Sequence, residues 1–305
     1  MVTLAEGTPS IGLNPPEEIR ARLVSQAPRW QMVPDVAVKA LAMARDASCS
    51  VKEFASVIER DPKLATEILR ITNSAFYAAK SPILNLKQAV TRLGLAHCRN
   101  VIVAASIGNG MRRLPLAEAW IQMVLWRHSV LTGLIGMALN RDFRFGFTGE
   151  EFTAGLIHDL GRFLLASIVP SQFAEADSLD FDESEELLVR ERIILQTDHC
   201  EVGAWFGAHS NLPQALVDVL QFHHSPDAAV ENRKLVALTA VADHMANHLQ
   251  RHSTADGYEP DENSALDILF DGNSNDQSRC TSMAHSIMTA TLQEACASES
   301  QFGGA

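Results

Sequence analysis

The sequence is poor in the features that mark secreted, membrane-spanning and β-rich proteins. Its five cysteines in 305 residues are widely spaced and form no Cys-x-x-Cys pair, which argues against a disulfide framework and for a reducing compartment. No apolar run reaches the roughly 18 residues of a membrane-spanning helix, and the N-terminus lacks the basic start, apolar stretch and cleavage site of a signal peptide. These absences predict a soluble, cytoplasmic protein.

Strand signals are also scarce, because sustained apolar–polar alternation is missing and no Asn-Gly or Asp-Gly turn joins two short β-runs. Apolar residues, which make up 47% of the chain, recur instead at helical spacing. Ser50 and Glu53 have the spacing of a capping box, and Asp61-Pro62 pairs an N-cap with a proline suited to the first helical turn. The sequence therefore predicts an all-α fold.

The chain has no excess of basic residues, with 25 Lys and Arg against 37 Asp and Glu and a net charge of −12. This charge disfavours a general nucleic-acid or anionic-membrane binder, since both need Lys and Arg to neutralise phosphate. The charge is uneven: residues 1–115 carry +6 and residues 116–305 carry −18. The chain is thus organised in two regions of opposite charge.

We divide the chain into four segments: a lead-in at 1–27, an N-terminal helical lobe at 28–115, a second helical lobe at 116–250, and a polar loop with a C-terminal helix at 251–305. Residues 108–115 form the junction between the lobes. One helix is predicted over 152–169, and the seven acidic residues within 175–186 are interpreted as a solvated loop. The amphipathic helix predicted at 283–295 offers a surface for a homodimer.

Eleven histidines are many for this length, and several stand in arrangements typical of metal ligands. Adjacent residues on a helix point about 100° apart, so the pairs at 158–159 and 223–224 can reach one site only across a crevice between helices. Imidazole and carboxylate ligands suit iron, manganese or zinc, and two such ions would activate water and clamp a phosphate. The candidate ligands, in chain order, are His128, His158, Asp159, His199, His223, His224 and Asp243.

The order of these ligands resembles that of the HD superfamily of metal-dependent phosphohydrolases, including the HD-GYP phosphodiesterases. Residues from about 28 to 249 resemble a narrower group, the HDOD (HD-related output domain) family. The resemblance is carried by the stretches 33–37, 58–64, 69–77 and 89–94 in the N-terminal lobe, and by 125–129, 155–162 and 198–204 in the second lobe.

The resemblance implies a two-lobe helical bundle with an HD-like second lobe. It assigns one metal to His128, His158, Asp159 and Asp243, and a second metal, bridged by Asp159, to His199, His223 and His224. HDOD proteins are generally regarded as signalling modules without catalysis, yet this sequence keeps every metal-type position. It departs from the phosphodiesterases in lacking their Gly-Tyr-Pro loop after His224, and it has Arg162 where the hydrolases carry a phosphate-binding lysine.

Three functions follow as alternatives. The first is a signal-transduction module that acts through a protein partner and has no catalytic activity. The second is a di-metal phosphohydrolase of nucleotides or cyclic dinucleotides, with Asp159 and Arg162 as candidate catalytic residues. The third, disfavoured by the charge, is nucleic-acid binding through arginines of the N-terminal lobe: Arg92, Arg99, Arg112 and Arg113.

Overall fold

The computed structural model describes residues 14–30, 35–43, 49–73, 82–182, 185–260 and 264–302. Every regular element in these ranges is a helix, which confirms the all-α prediction. The α-helices are α1 Glu17–Trp30, α2 Asp35–Met43, α3 Val51–Ile58, α4 Pro62–Thr72, α5 Leu86–Met111, α6 Ala119–Phe143, α7 Glu150–Ile157, α8 Leu160–Ile168, α9 Pro170–Ala176, α10 Glu185–Leu195, α11 His199–His209, α12 Gln214–Phe222, α13 Arg233–His252, α14 Ser264–Leu269 and α15 Ser274–Phe302.

Helices α2 to α5 form the N-terminal lobe, and their ends follow the capping signals in the sequence. The Ser50 hydroxyl accepts from the Glu53 backbone N–H while the Glu53 carboxylate accepts from the Ser50 N–H, so the capping box is present as predicted. Asp61 accepts from two backbone N–H groups at the start of α4. Gly94 breaks α5 with φ +82°, a left-handed value that favours glycine.

Helix α5 also connects the two lobes, because its C-terminal half packs on the second lobe. The Asn100 side chain donates to the Thr148 carbonyl at 3.0 Å, and the Thr153 hydroxyl donates to the Asn100 carbonyl at 3.1 Å. The helix ends at Met111, inside the predicted junction. The apolar core is consequently continuous from the N-terminal lobe through α6, α7 and α13.

The prediction of a single helix over 152–169 is wrong, because α7 ends at Ile157 and α8 begins at Leu160. Asp159, with φ −94° and ψ 18°, leaves the helical conformation and starts α8. A continuous helix would point residues 158 and 159 about 100° apart. The break instead turns both side chains towards the same interior space.

Each of the two terminal segments contains a helix that packs on the second lobe. Helix α1 covers part of the segment interpreted as a loose lead-in, and it packs on the second lobe, where Arg22 donates to the Ile168 carbonyl at 2.8 Å. Helix α15 begins at Ser274, well before the predicted start at residue 283. Its apolar residues Ile287 and Met288 are buried within the chain, so that face is not the exposed surface we expected for a homodimer.

Candidate metal centre

Four side chains from three helical segments converge to form what we call the first half-site: His128 on α6, His158 and Asp159 at the α7–α8 break, and Asp243 on α13. Asp243 Oδ1 lies 2.9 Å from His128 Nε2 and 3.2 Å from His158 Nε2. The two imidazole Nε2 atoms are 3.2 Å apart, and Asp159 Oδ2 lies 3.7 and 3.6 Å from them. All four side chains are buried.

The other oxygen of Asp159 faces a second half-site, which consists of Asp159, His199 at the start of α11, and His223 and His224 at the end of α12. Asp159 Oδ1 lies 3.5 Å from His199 Nε2 and 3.7 Å from His223 Nε2. His224 Nε2 lies 3.1 Å from His199 Nε2. The carboxylate of Asp159 thus stands between the two half-sites, with one oxygen towards each.

These donors fit two divalent cations. Atoms that bind one ion at about 2.0–2.2 Å lie about 2.9–3.5 Å from each other, and the measured separations centre on that range. Asp159 Oδ1 is fully buried and has no hydrogen-bond partner among the described residues, a costly state for a carboxylate oxygen that a bound cation would relieve. Imidazole and carboxylate donors suit iron, manganese or zinc.

Hydrogen bonds behind the ligands orient three of the imidazoles. His158 Nδ1 lies 2.8 Å from the Gly155 carbonyl, and His223 Nδ1 lies 3.0 Å from the Val219 carbonyl. His199 Nδ1 lies 2.8 Å from the carboxylate of Glu191, which is itself completely buried. Each Nδ1 donates to its acceptor, so Nε2 is the ring nitrogen that can bind a metal ion once it carries no proton.

Two glycines allow the helices that carry the ligands to approach closely. A Cβ atom at Gly161 would lie 1.8 Å from the His199 carbonyl oxygen, and one at Gly155 would lie 2.6 Å from the Gly133 backbone nitrogen. Contacts this short exclude any side chain at either position. The glycines therefore fix the spacing of α8 to α11 and of α7 to α6, on which the distances within the centre depend.

The electrostatics of the centre favour cation binding. Burial alone would raise the pKa of Asp159, but His158 and Arg162 hold it well below its ordinary value. The pKa of Asp243 is likewise held well below its ordinary value, against burial, by His158 and by the hydrogen bond to His128. Both carboxylates are therefore ionised at neutral pH, as metal binding requires.

The histidines differ in their proton affinity. Burial lowers the pKa of His128, and burial with His223 and His199 nearby lowers that of His224 well below its usual value. Cys200 raises the pKa of His199 and His223 well above their ordinary values despite burial, together with Glu191 at His199 and Asp159 at His223. Protons thus compete with metal mainly at the second half-site, and metal binding there would release them.

Arg162 lies beside the centre, but its guanidinium is already engaged. Nη1 donates to Asp159 Oδ2 at 2.9 Å, while Nε and Nη2 donate to the two oxygens of Asp177 at 2.8 and 3.0 Å. Asp177 belongs to the acidic run interpreted as a solvated loop, and its burial is a correction to that interpretation. The pair orients the bridging carboxylate and leaves Arg162 without the free donor fork that phosphate binding needs.

Phe181, from the same acidic segment, covers the first half-site. Its ring centroid lies 4.7 Å from that of His128 and 4.9 Å from the Arg162 guanidinium carbon. Its side chain is only 3% exposed, and its backbone adopts the left-handed conformation with φ +56°, which is uncommon for a residue with a large side chain. Phe181 therefore covers the centre, whereas the acidic side chains on either side of it, at Asp180 and Asp182, are exposed as predicted.

The structure brings all seven predicted ligands into one centre. The sequence analysis did not single out Glu191, Asp177, Phe181 or Cys200. Cys200 lies in the matching stretch 198–204 next to His199, which is the one signal that could have identified it. Two of the basic residues considered for nucleic-acid binding make contacts within the chain, because Arg99 lies 3.6 Å from Glu150 of the second lobe and Arg112 stacks on Trp126.

An all-helical two-lobe fold with paired histidine and aspartate half-sites defines a protein of the HD type. The sequence model of the HDOD domain matches residues 31–226, and the chain belongs to that family. Among the helices of the described ranges, none is both long and apolar enough to span a bilayer.

Three comparisons illustrate the relationship. An uncharacterized protein of Treponema pallidum (strain Nichols) is 25% identical over 228 residues, 72% of this chain and 43% of that protein, so the chain spans less than half of this relative's length. An HDOD domain protein of unknown function from Geobacter sulfurreducens shares the fold with a TM-score of 0.65 at 21% identity, over 90% of this chain and 99% of that one. A candidate phosphohydrolase from Shewanella amazonensis SB2B gives 0.60 at 21% identity, over 89% and 98%.

Proposed function

We propose that this chain is a regulatory HDOD module that holds two divalent metal ions (iron, manganese or zinc) in a closed centre and passes its signal to a protein partner without catalysis. The observation that carries the proposal is the position of Asp159, whose two carboxylate oxygens face opposite half-sites in a buried centre covered by Phe181. Family membership supports the regulatory role.

Two features favour a regulatory role over turnover. Phe181 occupies the space next to His128 where a substrate would approach the first half-site, and Arg162 is tied to Asp177. A site for phosphate hydrolysis needs room for the phosphate and free donors for its oxygens. Metal ions in a closed centre would instead fix the relative positions of α6, α8, α11, α12 and α13.

The second candidate function is a metal-dependent phosphohydrolase, favoured by the complete ligand set. When bound, two divalent ions in such a centre can activate water and clamp a phosphate. In that case, Asp159 would hold the centre together and His128 would position the first ion, while the segment around Phe181 would have to open. The structurally similar protein from Shewanella amazonensis SB2B is itself named as a phosphohydrolase.

Metal analysis of the full chain, purified without chelator, tests the proposed centre. We expect close to two equivalents in the unsubstituted protein and a large loss in Asp159→Asn, which removes the ionised carboxylate but keeps its shape. Glu175→Gln, at an exposed acidic position on α9, is the matched control and should keep its metal. Only trace metal in the unsubstituted protein, even after reconstitution with each ion, would overturn the proposal.

Assays with generic phosphodiesters and cyclic dinucleotides separate the two functions. We expect no turnover by the metal-loaded chain, nor by a Phe181→Ala variant in which the centre is uncovered. Turnover that disappears in Asp159→Asn would instead establish the phosphohydrolase.

The basic surface of the N-terminal lobe is where we place the protein partner. Arg92 and Arg113 are exposed there, and their charge suits an acidic partner surface. Comparing partner recovery by the unsubstituted chain and by Arg92→Glu/Arg113→Glu tests this assignment. Equal recovery would remove this surface as the docking site.

A further inference from the structure

Cys200 lies at the edge of the second half-site, although it is not among the ligands that the resemblance implies. It follows His199 in the first turn of α11 and is 6% exposed. Its Sγ atom lies 4.0 Å from His223 Nε2. The potential ligand atoms of His199, Cys200, His223 and His224 all lie within 4.8 Å of one another.

The position of the sulfur is compatible with binding the same ion as the histidines. For metal–sulfur and metal–nitrogen distances of about 2.3 and 2.1 Å, the S···N separation is about 3.6 Å at a tetrahedral angle. It is about 4.4 Å when the two donors lie on opposite sides of the ion. The observed 4.0 Å falls between these limits, as expected for a centre with more than four donors. The unpartnered Asp159 Oδ1 faces the same ion position.

We infer that Cys200 is a thiolate ligand of the metal ion in the second half-site, together with His199, His223, His224 and the shared carboxylate of Asp159. The inference rests on the proposed metal centre and deepens it by making the two half-sites chemically different. The first has only nitrogen and oxygen donors, whereas the second contains sulfur. Thiolate selects for zinc, cobalt or iron over magnesium and manganese, so the second half-site should reject the harder ions.

Cobalt substitution of the full chain tests the inference, because thiolate bound to Co²⁺ gives an intense near-ultraviolet charge-transfer band that nitrogen and oxygen ligands do not give. We expect the band in the Co²⁺-loaded chain and its loss in both Cys200→Ser and Cys200→Ala. Cys296→Ser, which changes an exposed thiol on α15, should keep the band. Circular dichroism of the metal-free variants establishes that they are folded.

The cobalt content of the same samples distinguishes a failure of the Cys200 inference from a failure of the proposed metal centre. A chain that binds two equivalents of Co²⁺ without the band would overturn the role of Cys200 and leave the metal centre intact. A chain that binds no Co²⁺ and no other divalent ion would overturn both. A band that persists in Cys200→Ser would assign the sulfur ligand to another cysteine and equally overturn the inference.

Discussion

The carboxylate of Glu191 accepts two hydrogen bonds from His199, one from the ring Nδ1 at 2.8 Å and one from the backbone N–H at 2.9 Å. Both side chains are completely buried. Glu191 on α10 therefore fixes the ring orientation of a ligand on α11 and also satisfies a backbone group at the start of that helix.

Replacing Glu191 should weaken metal binding without removing any ligand. Loss of such a supporting carboxylate costs about 10–100-fold in metal affinity, and we expect Glu191→Gln to fall in this range at the second half-site. Competition titration with a chromophoric chelator measures the change. Glu186→Gln, an exposed position on the same helix, is the control; equal affinities of the two variants would contradict the role of Glu191.

Phe181 should control how fast metal leaves the centre. Removing its ring in Phe181→Ala uncovers His128, so we expect faster metal transfer to excess chelator in stopped-flow measurements. Truncating a buried phenylalanine also costs about 3–5 kcal/mol of the free energy of unfolding. Phe181→Leu keeps most of the apolar cover and should be slower than the alanine variant. Identical rates for all three proteins would mean that metal leaves by another route.

The stability of the fold should fall when one partner of the buried Arg162–Asp177 pair is removed. Asp177→Leu leaves the guanidinium with a single carboxylate partner in the interior, and such a loss costs about 3–5 kcal/mol. The double variant Arg162→Met/Asp177→Leu removes both charges and should recover part of that stability. Urea unfolding in the presence of chelator measures both effects independently of metal. If the double variant is less stable than Asp177→Leu, Arg162 stabilises the protein mainly through its hydrogen bond to Asp159.

Two core thiols should make the protein sensitive to alkaline pH. Burial raises the pKa of Cys98 and Cys280 to about 12, whereas an unfolded thiol ionises at about 8.5. Their contribution to stability is therefore complete below about pH 8.5 and falls by about 1.4 kcal/mol per pH unit for each thiol until the folded-state pKa is reached.

Cys98→Ala should halve the loss of unfolding free energy per pH unit that the two buried thiols cause. The free energy of unfolding is compared for the variant and the unsubstituted chain at about pH 9 and about pH 10. The loss between these two pH values should be smaller by about 1.2 kcal/mol in the variant. Cys296→Ser, at an exposed position, serves as the control. If the free energy of unfolding falls equally with pH in all three proteins, ionisation of Cys98 does not cause the pH dependence.

The all-α fold could be predicted from the sequence because capping residues and helical periodicity are local signals. The capping box at Ser50 and Glu53 placed the start of α3 where the structure shows it. The order and pairing of histidines and aspartates singled out all seven residues that meet in the centre.

What surrounds the ligands could not be predicted, because it depends on packing between distant segments. A strongly acidic stretch normally indicates solvent exposure, but Asp177 and Phe181 within this one are buried. The break at Asp159 was equally hidden, since the apolar pattern continues through it. Asp177 and Phe181 contact Arg162 and His128, which lie far from them in the sequence, and no residue spacing records those contacts.

Asp243 lies on α13, outside the residues 31–226 that match the family's sequence model. A fragment trimmed to the matched residues would lack one of the four donors of the first half-site and the buried helix that crosses α6 and α7. Such a fragment would keep the recognisable sequence and lack part of the candidate metal centre. For expression, domain grafting or comparison with longer relatives, the smallest meaningful unit of this chain therefore extends at least to His252.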